Sequence, residues 1–373
     1  MQRRTLLLGA GACAPVLWSA RASADAGPAT AEPRDVETLA TAWRAPAGDR
    51  VGVLRIHWSA GRVDLLGDAA VPTRAHGLLA LHDGGFLAVA HRPGRWLLRG
   101  DGAGRVMQRL DLDAAGERRT LNGHVVASAD GRWLYTTETD PADDSGWIAV
   151  RDTRTLARVS EFRSHGADAH QLLHAADGTL LVANGGIARD ALGRKRDGDA
   201  MDSSLVRLDP ASGRLLGQWR LADRALSMRH LAWASGAQPL LGIALQAEHA
   251  AAAERAAAPV LALWDGERLQ MPSADLRAGG YAGDIAAAPG GGFVLSAQKQ
   301  GRCLWWHPGD PDAMTLVAEL REPCALATAP DGAGVSISAG RGAARWHATL
   351  APRMLAWPVA LAPDNHWVRL AAG

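Results

Sequence analysis

The sequence predicts an all-β chain, a seven-bladed β-propeller closed by combining N-terminal and C-terminal strands in one blade. Three observations carry this. An apolar run, a turn centred on Asp-Gly or Gly-Gly and a second apolar run recur seven times. The recurrence has the period of four-stranded blades. Two strand-like runs near the start, 51–57 and 62–66, have no turn partner of their own. They can supply the outer strands that the last copy lacks, which removes the free edges of an open ring.

Taken in order, residues 1–24 read as an export signal. Arg3-Arg4 is followed by an apolar stretch over 5–18 and then by Ala22-Ser23-Ala24, an A-x-A cleavage pattern. The adjacent arginines resemble the twin-arginine signal, so the mature chain is expected to begin at Asp25 in the periplasm. The apolar stretch holds two Gly and a Pro and is short for a membrane span. No later segment reads as transmembrane. Ala10-Gly11-Ala12-Cys13 offers a second reading as a lipoprotein box, although it lacks the usual branched first residue. Residues 25–41 form a polar lead-in, and 42–373 form one propeller domain.

The copies are HGLLALHDGGFLAVA (76–90), GHVVASADGRWLYTT (123–137), HQLLHAADGTLLVAN (170–184), HLAWASGAQPLLGIA (230–244), DIAAAPGGGFVLSAQ (284–298), CALATAPDGAGVSIS (324–338) and VALAPDNHWVRL (359–370). Their turns are anchored at Asp83, Asp130, Asp177, Ser235, Gly290, Asp331 and Asp364. The first two intervals are both 47 residues, and the last shrinks to 33. Further strand-like runs follow each pair, such as 95–99 and 106–112, or 147–152 and 158–162. A pair of β-sandwiches is the competing fold. Two insertions interrupt the pattern: a long polar loop between Asn184 and Ser203, of a length that commonly serves as a lid or binding loop, and QAEHAAAAERAAAP (246–259), of helix-forming composition.

Composition narrows the function. The 373 residues carry 40 Lys+Arg against 39 Asp+Glu, and lysine occurs only at 195 and 299. This balance argues against nucleic acid or an anionic membrane as partner. Cys303 and Cys324 are the two cysteines that outlast the signal, too few for a disulfide framework; they are two separate thiols or one pair. There is no Walker loop, HExxH, GxSxG elbow or dinucleotide GxGxxG after a strand.

The first strand of each propeller blade lines the central channel, so residues opening the copies converge at one mouth. Those openings hold His76, His124, His170, Arg229-His230, Asp284 and Cys324. Imidazole suits Zn, Cu, Fe and Ni, which makes His124, His170 and His230 candidate metal ligands, with iron or copper as the candidate metal. The alternative is that each histidine caps a turn or bonds to the next blade's backbone. Glu138 and Asn184, at neighbouring strand ends, complete a candidate ligand-binding set of His76, His124, Glu138, His170, Asn184, Arg229 and His230. Glu138 is either a ligand or general base, or the partner of an arginine.

AHRPG (90–94), NGHVVASADGRWLYTTE (122–138), EFRSHGADAHQL (161–172), LLVANGGI (180–187) and SMRHLAW (227–233) together resemble a bacterial family catalogued as domain of unknown function 1513, exported propellers with YVTN- and WD40-like repeats. The family's Thr-His-Pro after Asn-Gly-Gly-Ile is here Ala188-Arg189-Asp190, and its Pro-His-Glu is Ala169-His170-Gln171. The resemblance implies a periplasmic role in iron or redox-metal handling, beside imelysin-like iron-uptake lipoproteins and a di-haem oxidoreductase-like protein. The expected function is a binding propeller accessory to that role. A metal-dependent redox or hydrolytic enzyme using the histidine cluster is the alternative.

Overall fold

The computed structural model describes residues 35–190, 194–196, 201–236, 239–272 and 278–371. The expected signal, its cleavage site and Cys13 lie outside the described residues. Seven four-stranded antiparallel sheets make up the described chain. First come β1 (Val36–Ala45), β2 (Gly48–His57) and β3 (Arg62–Ala70). Blade I is β4 (Ala75–Ala80), β5 (Phe86–Ala90), β6 (Trp96–Gly100) and β7 (Val106–Asp111); blade II is β8 (Thr120–Ala127), β9 (Trp133–Thr139), β10 (Ser145–Asp152) and β11 (Arg158–Ala167). Blade III is β12 (Ala169–His174), β13 (Leu180–Asn184), β14 (Ser204–Leu208) and β15 (Leu215–Trp219); blade IV is β16 (Leu226–Trp233), β17 (Leu241–Ala247), β18 (Leu261–Trp264) and β19 (Leu269–Gln270). Blade V is β20 (Ile285–Ala288), β21 (Gly292–Ala297), β22 (Arg302–His307) and β23 (Asp310–Glu319); blade VI is β24 (Leu326–Thr328), β25 (Gly334–Ala339), β26 (Gly342–His347) and β27 (Arg353–Ala356). In the seventh sheet, called blade VII here, β28 (Ala362–Arg369) precedes β1, β2 and β3 in the order β28-β1-β2-β3. The seven innermost strands pack one against the next around a ring.

The Asp-Gly turns have a common cause. Asp83, Asp130, Asp177 and Asp331 each accept the amide two residues on, at 2.9–3.1 Å. The intervening Gly84, Gly131, Gly178 and Gly332 sit at φ of 69–82°, open to glycine at little cost. Second strands such as β5 and β13 are buried on both faces and so read as unbroken apolar runs. Outer strands such as β7 are largely exposed and alternate. The core lies between neighbouring blades: Leu87 and Leu97 of blade I pack with Leu121 and Leu134 of blade II, and Leu181 and Leu205 of blade III with Met228, Ile243 and Trp264 of blade IV. Each fully buried side chain of this kind contributes about 1.5–3 kcal/mol.

Three expectations need correcting. The lead-in does not extend to residue 41, because β1 begins at Val36; lying between β28 and β2, it is covered on both faces and shows no polar alternation. Asp364 does not mark a turn, since β28 runs through it as a single strand. The 33-residue interval is therefore not a blade length, and blade VI fits its four strands by keeping them to three to six residues. The second insertion carries one exposed helical turn and a half, α1 (Ala252–Ala257). Parts of the long polar loop lie outside the described residues. Lys195 within it bonds Glu248 of the second insertion at 2.5 Å. Cys303 and Cys324 are both buried free thiols. Burial pushes the Cys324 thiol up to about 12, and its Sγ donates to the Glu322 carbonyl at 3.2 Å. Among the described residues no helix is long and apolar enough to cross a membrane.

Candidate metal centre at the channel mouth

Five histidines from five blades meet in the channel: His76 on β4, His124 on β8, His170 on β12, His230 on β16 and His366 on β28. All five are buried, at 1–7% exposure. Ring centroids of successive members (76, 124, 170, 230, 366 and back to 76) are 4.4–4.9 Å apart. Distances across the group are only 5.1–5.9 Å, too short for a flat pentagon, so the imidazoles bundle around a point. One ring nitrogen from each of His76, His124, His170 and His230 lies within 4.8 Å of the others, and so do one ring nitrogen each of His230 and His366 and a carboxylate oxygen of Asp284.

The local cause is a repeated irregularity in the ladder. Register breaks between Ala75 and Leu78 on β4, Leu121 and Val125 on β8, Ala169 and Leu172 on β12, and Met228 and His230 on β16. It breaks again on β28 across Asp364, Asn365 and His366, which together oppose one residue of β1. Every histidine-bearing first strand thus bulges at or beside its histidine. By contrast, β20 and β24, which follow Asp284 and Cys324, pair regularly. A bulge re-aims a side chain that a regular strand would direct into the inter-blade core. Two glycines let the strands close in. A Cβ on Gly77 would meet the Gly123 carbonyl oxygen at 2.2 Å, and one on Gly123, at φ 101°, would meet His76 Cδ2 at 2.8 Å.

His230 is the hub, with its Nε2 3.0 Å from the Nε2 of both His170 and His366. Carboxylates orient the rim: His76 Nδ1 faces Asp364 at 3.2 Å and His366 Nδ1 faces Asp284 at 3.3 Å. With the proton drawn to Nδ1 by those partners, Nε2 presents a lone pair to the centre. Arg229 approaches His170 Nδ1 at 3.5 Å while donating to Asp168 at 2.8 Å. His124 Nε2 and His230 Nδ1 are buried without a hydrogen-bond partner in the protein. Burial first, then neighbouring imidazoles and arginines, push His76, His124, His170 and His230 well below the ordinary histidine range. The rings are therefore neutral at pH 7, the form that ligates metals.

Of the residues singled out in the sequence, His76, His124, His170 and His230 come together, with Arg229 behind them. Glu138 and Asn184 serve elsewhere. Glu138, on β9, accepts from Arg151 at 2.7 Å and from Thr136 at 2.8 Å, and Arg151 also binds Glu117 at 2.7 and 2.9 Å. Asn184 donates to the Ser164 carbonyl at 3.0 Å, tying blade III to blade II. Removing one side of a buried ion pair strands the other charge, so Arg151→Ala is expected to cost about 3–5 kcal/mol in denaturant unfolding. The histidine rings do not touch this network; loss of metal-binding capacity in the folded variant would contradict the separation. His366 was missed because Asp364-Asn365 imitates a turn. The available signal was a histidine two residues beyond an Asp at the last copy, as in Asp168-Ala169-His170.

A funnel of about 260 Å³ leads outward from His76, His170 and His230 past Arg74, His91 and Arg92.

A family model described as a protein of unknown function (DUF1513) matches residues 69–370. Among curated proteins, none matches the chain. Similar solved structures include hydrazine synthase of Kuenenia stuttgartiensis, 14% identical, TM-score 0.57, covering 85% of this chain and 95% of that one. A functionally unknown protein from Desulfotomaculum acetoxidans is 8% identical with TM-score 0.59, covering 90% and 98%. Streptogramin B lyase is 11% identical with TM-score 0.51, covering 81% and 90%. At these identities the likeness is one of fold.

Proposed function

The chain belongs to the DUF1513 family, and on that footing we propose that it is a periplasmic binding propeller that holds one transition-metal ion in its five-histidine centre, as an accessory to iron or redox-metal handling. The observation that carries the reading is the convergence of four buried imidazoles, His76, His124, His170 and His230, from four blades, with His366 of a fifth blade against His230 and with His124 Nε2 left without a partner. A cluster held only by packing would leave those lone pairs and N–H groups badly served, since a proton between two Nε2 atoms satisfies one contact and His230 Nε2 has two. A single cation would take up the lone pairs that face the centre, His124 Nε2 and His230 Nε2 among them.

Spacing supports the kind of metal. Imidazole nitrogens bind at about 2.0–2.1 Å, so ligands 90° apart stand about 3.0 Å from each other, and tetrahedral ligands about 3.4 Å. The two contacts at His230, both 3.0 Å, match the separation of ligands about 90° apart, and imidazole suits iron and copper. Export supports the same reading: the twin-arginine route carries folded proteins, and Arg3-Arg4 with Ala22-Ser23-Ala24 fits it. The partners that suit an accessory of this kind are periplasmic metal-handling proteins of the imelysin-like and di-haem oxidoreductase-like classes. Glu138 is committed to Arg151, so a hydrolase using it as base finds no support.

The test is elemental analysis and an absorption spectrum of protein released from the periplasm by osmotic shock, without chelator or metal-affinity columns. About one equivalent of iron or copper is expected, absent from the His124→Ala/His170→Ala/His230→Ala variant. Metal-free protein that also takes up neither Fe(II) nor Cu(II) in equilibrium dialysis would sink the reading.

A further inference from the structure

Ten residues line the funnel above the centre, and none is a carboxylate. The acids near the site all face other groups. Asp364 is engaged by Arg74 and His76, Asp284 by His366 and the Leu326 amide, and Asp168 by both Arg92 and Arg229. Arg74, Arg92 and Arg229 are thus matched in number by Asp364, Asp168 and Asp284, and none of the three carboxylates lines the funnel. A divalent ion among the imidazoles would bring positive charge that these balanced pairs do not offset. Buried charge of one sign demands a counter-charge, and the funnel is where one can enter. Its walls offer Arg74 and Arg92 on one side with Tyr281, Gln298 and Asn365 around them. Arg74 holds Asp364 through Nε and Nη2 and Arg92 holds Asp168 through Nη1, which leaves other guanidinium N–H groups to donate to an entering carboxylate. The volume, about 260 Å³, falls below the 300–1,000 Å³ of drug-sized sites, which limits the guest to a small anion.

We propose that the funnel is a binding site for a small di- or tricarboxylate, one carboxylate directed at the metal between His76, His170 and His230 and another at Arg74 and Arg92. The inference rests on the metal-binding reading and adds the ligand class. A free carboxylate and a carboxylate arriving as the metal's chelate share this chemistry. No covalent change is involved.

The experiment titrates malonate, citrate and inorganic phosphate into copper-loaded and metal-free protein, followed by calorimetry and by the visible copper band, with affinities expressed per metal-loaded molecule. Malonate or citrate should bind the loaded protein at least tenfold tighter than the metal-free protein and shift the band. Arg74→Gln, at a half-exposed position, should weaken binding at least tenfold, and Arg92→Lys, which keeps the charge beside Asp168, should weaken it less. Loading with the citrate complex in place of the free ion separates the two sources: faster uptake from the complex identifies the chelate as the guest. Equal affinity for phosphate, no preference for the loaded form, or no effect of either variant would overturn the assignment while leaving the metal site standing. Protein that takes up no metal overturns both.

Discussion

Alanine at His230 is expected to lower metal affinity by at least about 100-fold, more than the loss of any other single ligand. Second-shell changes alone cost about 10–100-fold. His230 would bind the ion directly, and it is the imidazole whose Nε2 lies 3.0 Å from two others. The measurement is a competition with a chelator of known affinity, and the result doubles as a stability experiment. Metal at about 1,000 times its dissociation constant stabilises the folded state by about 4 kcal/mol. Added iron or copper should therefore raise the melting temperature of the native protein by several degrees and leave that of His230→Ala almost unchanged. A melting temperature indifferent to metal in the native protein, or equal shifts in both, would remove the centre from consideration. The comparison with Arg151→Ala is instructive, because that variant should lose stability and keep its metal response.

Much of the fold was legible because its determinants are local. An Asp that caps the amide two residues on, followed by a glycine in the left-handed region, needs no tertiary partner, and four blades announce themselves in that way. The candidate site was half legible for the same reason, since the copies start on His76, His124, His170 and His230. What stayed hidden depends on distant partners. Strand β1 is covered by β28, some 320 residues later, and nothing in its own pattern says so. Glu138 looks like a candidate base until Arg151, opposite Leu134 in the ladder, is seen to reach it. The bulges that turn the five histidines inward have no obligatory residue apart from Gly77 and Gly123, and His366 lies inside a bulge whose Asp364-Asn365 reads as a turn. The ring of imidazoles is thus a property of strand geometry laid over a sequence that supplies one histidine per blade and leaves Asp284 and Cys324 in the other two.

The same burial that keeps the imidazoles neutral makes the metal-free protein acid-sensitive. His76, His124, His170 and His230 are held well below the ordinary value by burial and then by neighbouring charges, and His91 is lowered to about 4 by burial, Arg74 and Arg92. In the unfolded chain each of these would bind a proton below about pH 6.5. Their folded-state values lie lower, so between the two the unfolded chain holds more protons, and stability is full above pH 6.5 and lost as the pH falls below it. Each histidine that stays neutral in the fold contributes about 1.4 kcal/mol per pH unit on that slope. Because several groups are lowered together, their losses add in the same direction as the pH falls. Chelator-treated protein is accordingly expected to melt far lower at pH 5.5 than at pH 7.5. His91→Gln, outside the ring of five, should shallow the slope by about one proton without removing metal binding, whereas loaded protein should hold its stability until acid displaces the ion. A melting temperature for the metal-free protein that is flat from pH 7.5 to 5.5 would mean that the imidazoles titrate normally in the fold, and the buried neutral centre would have to be abandoned.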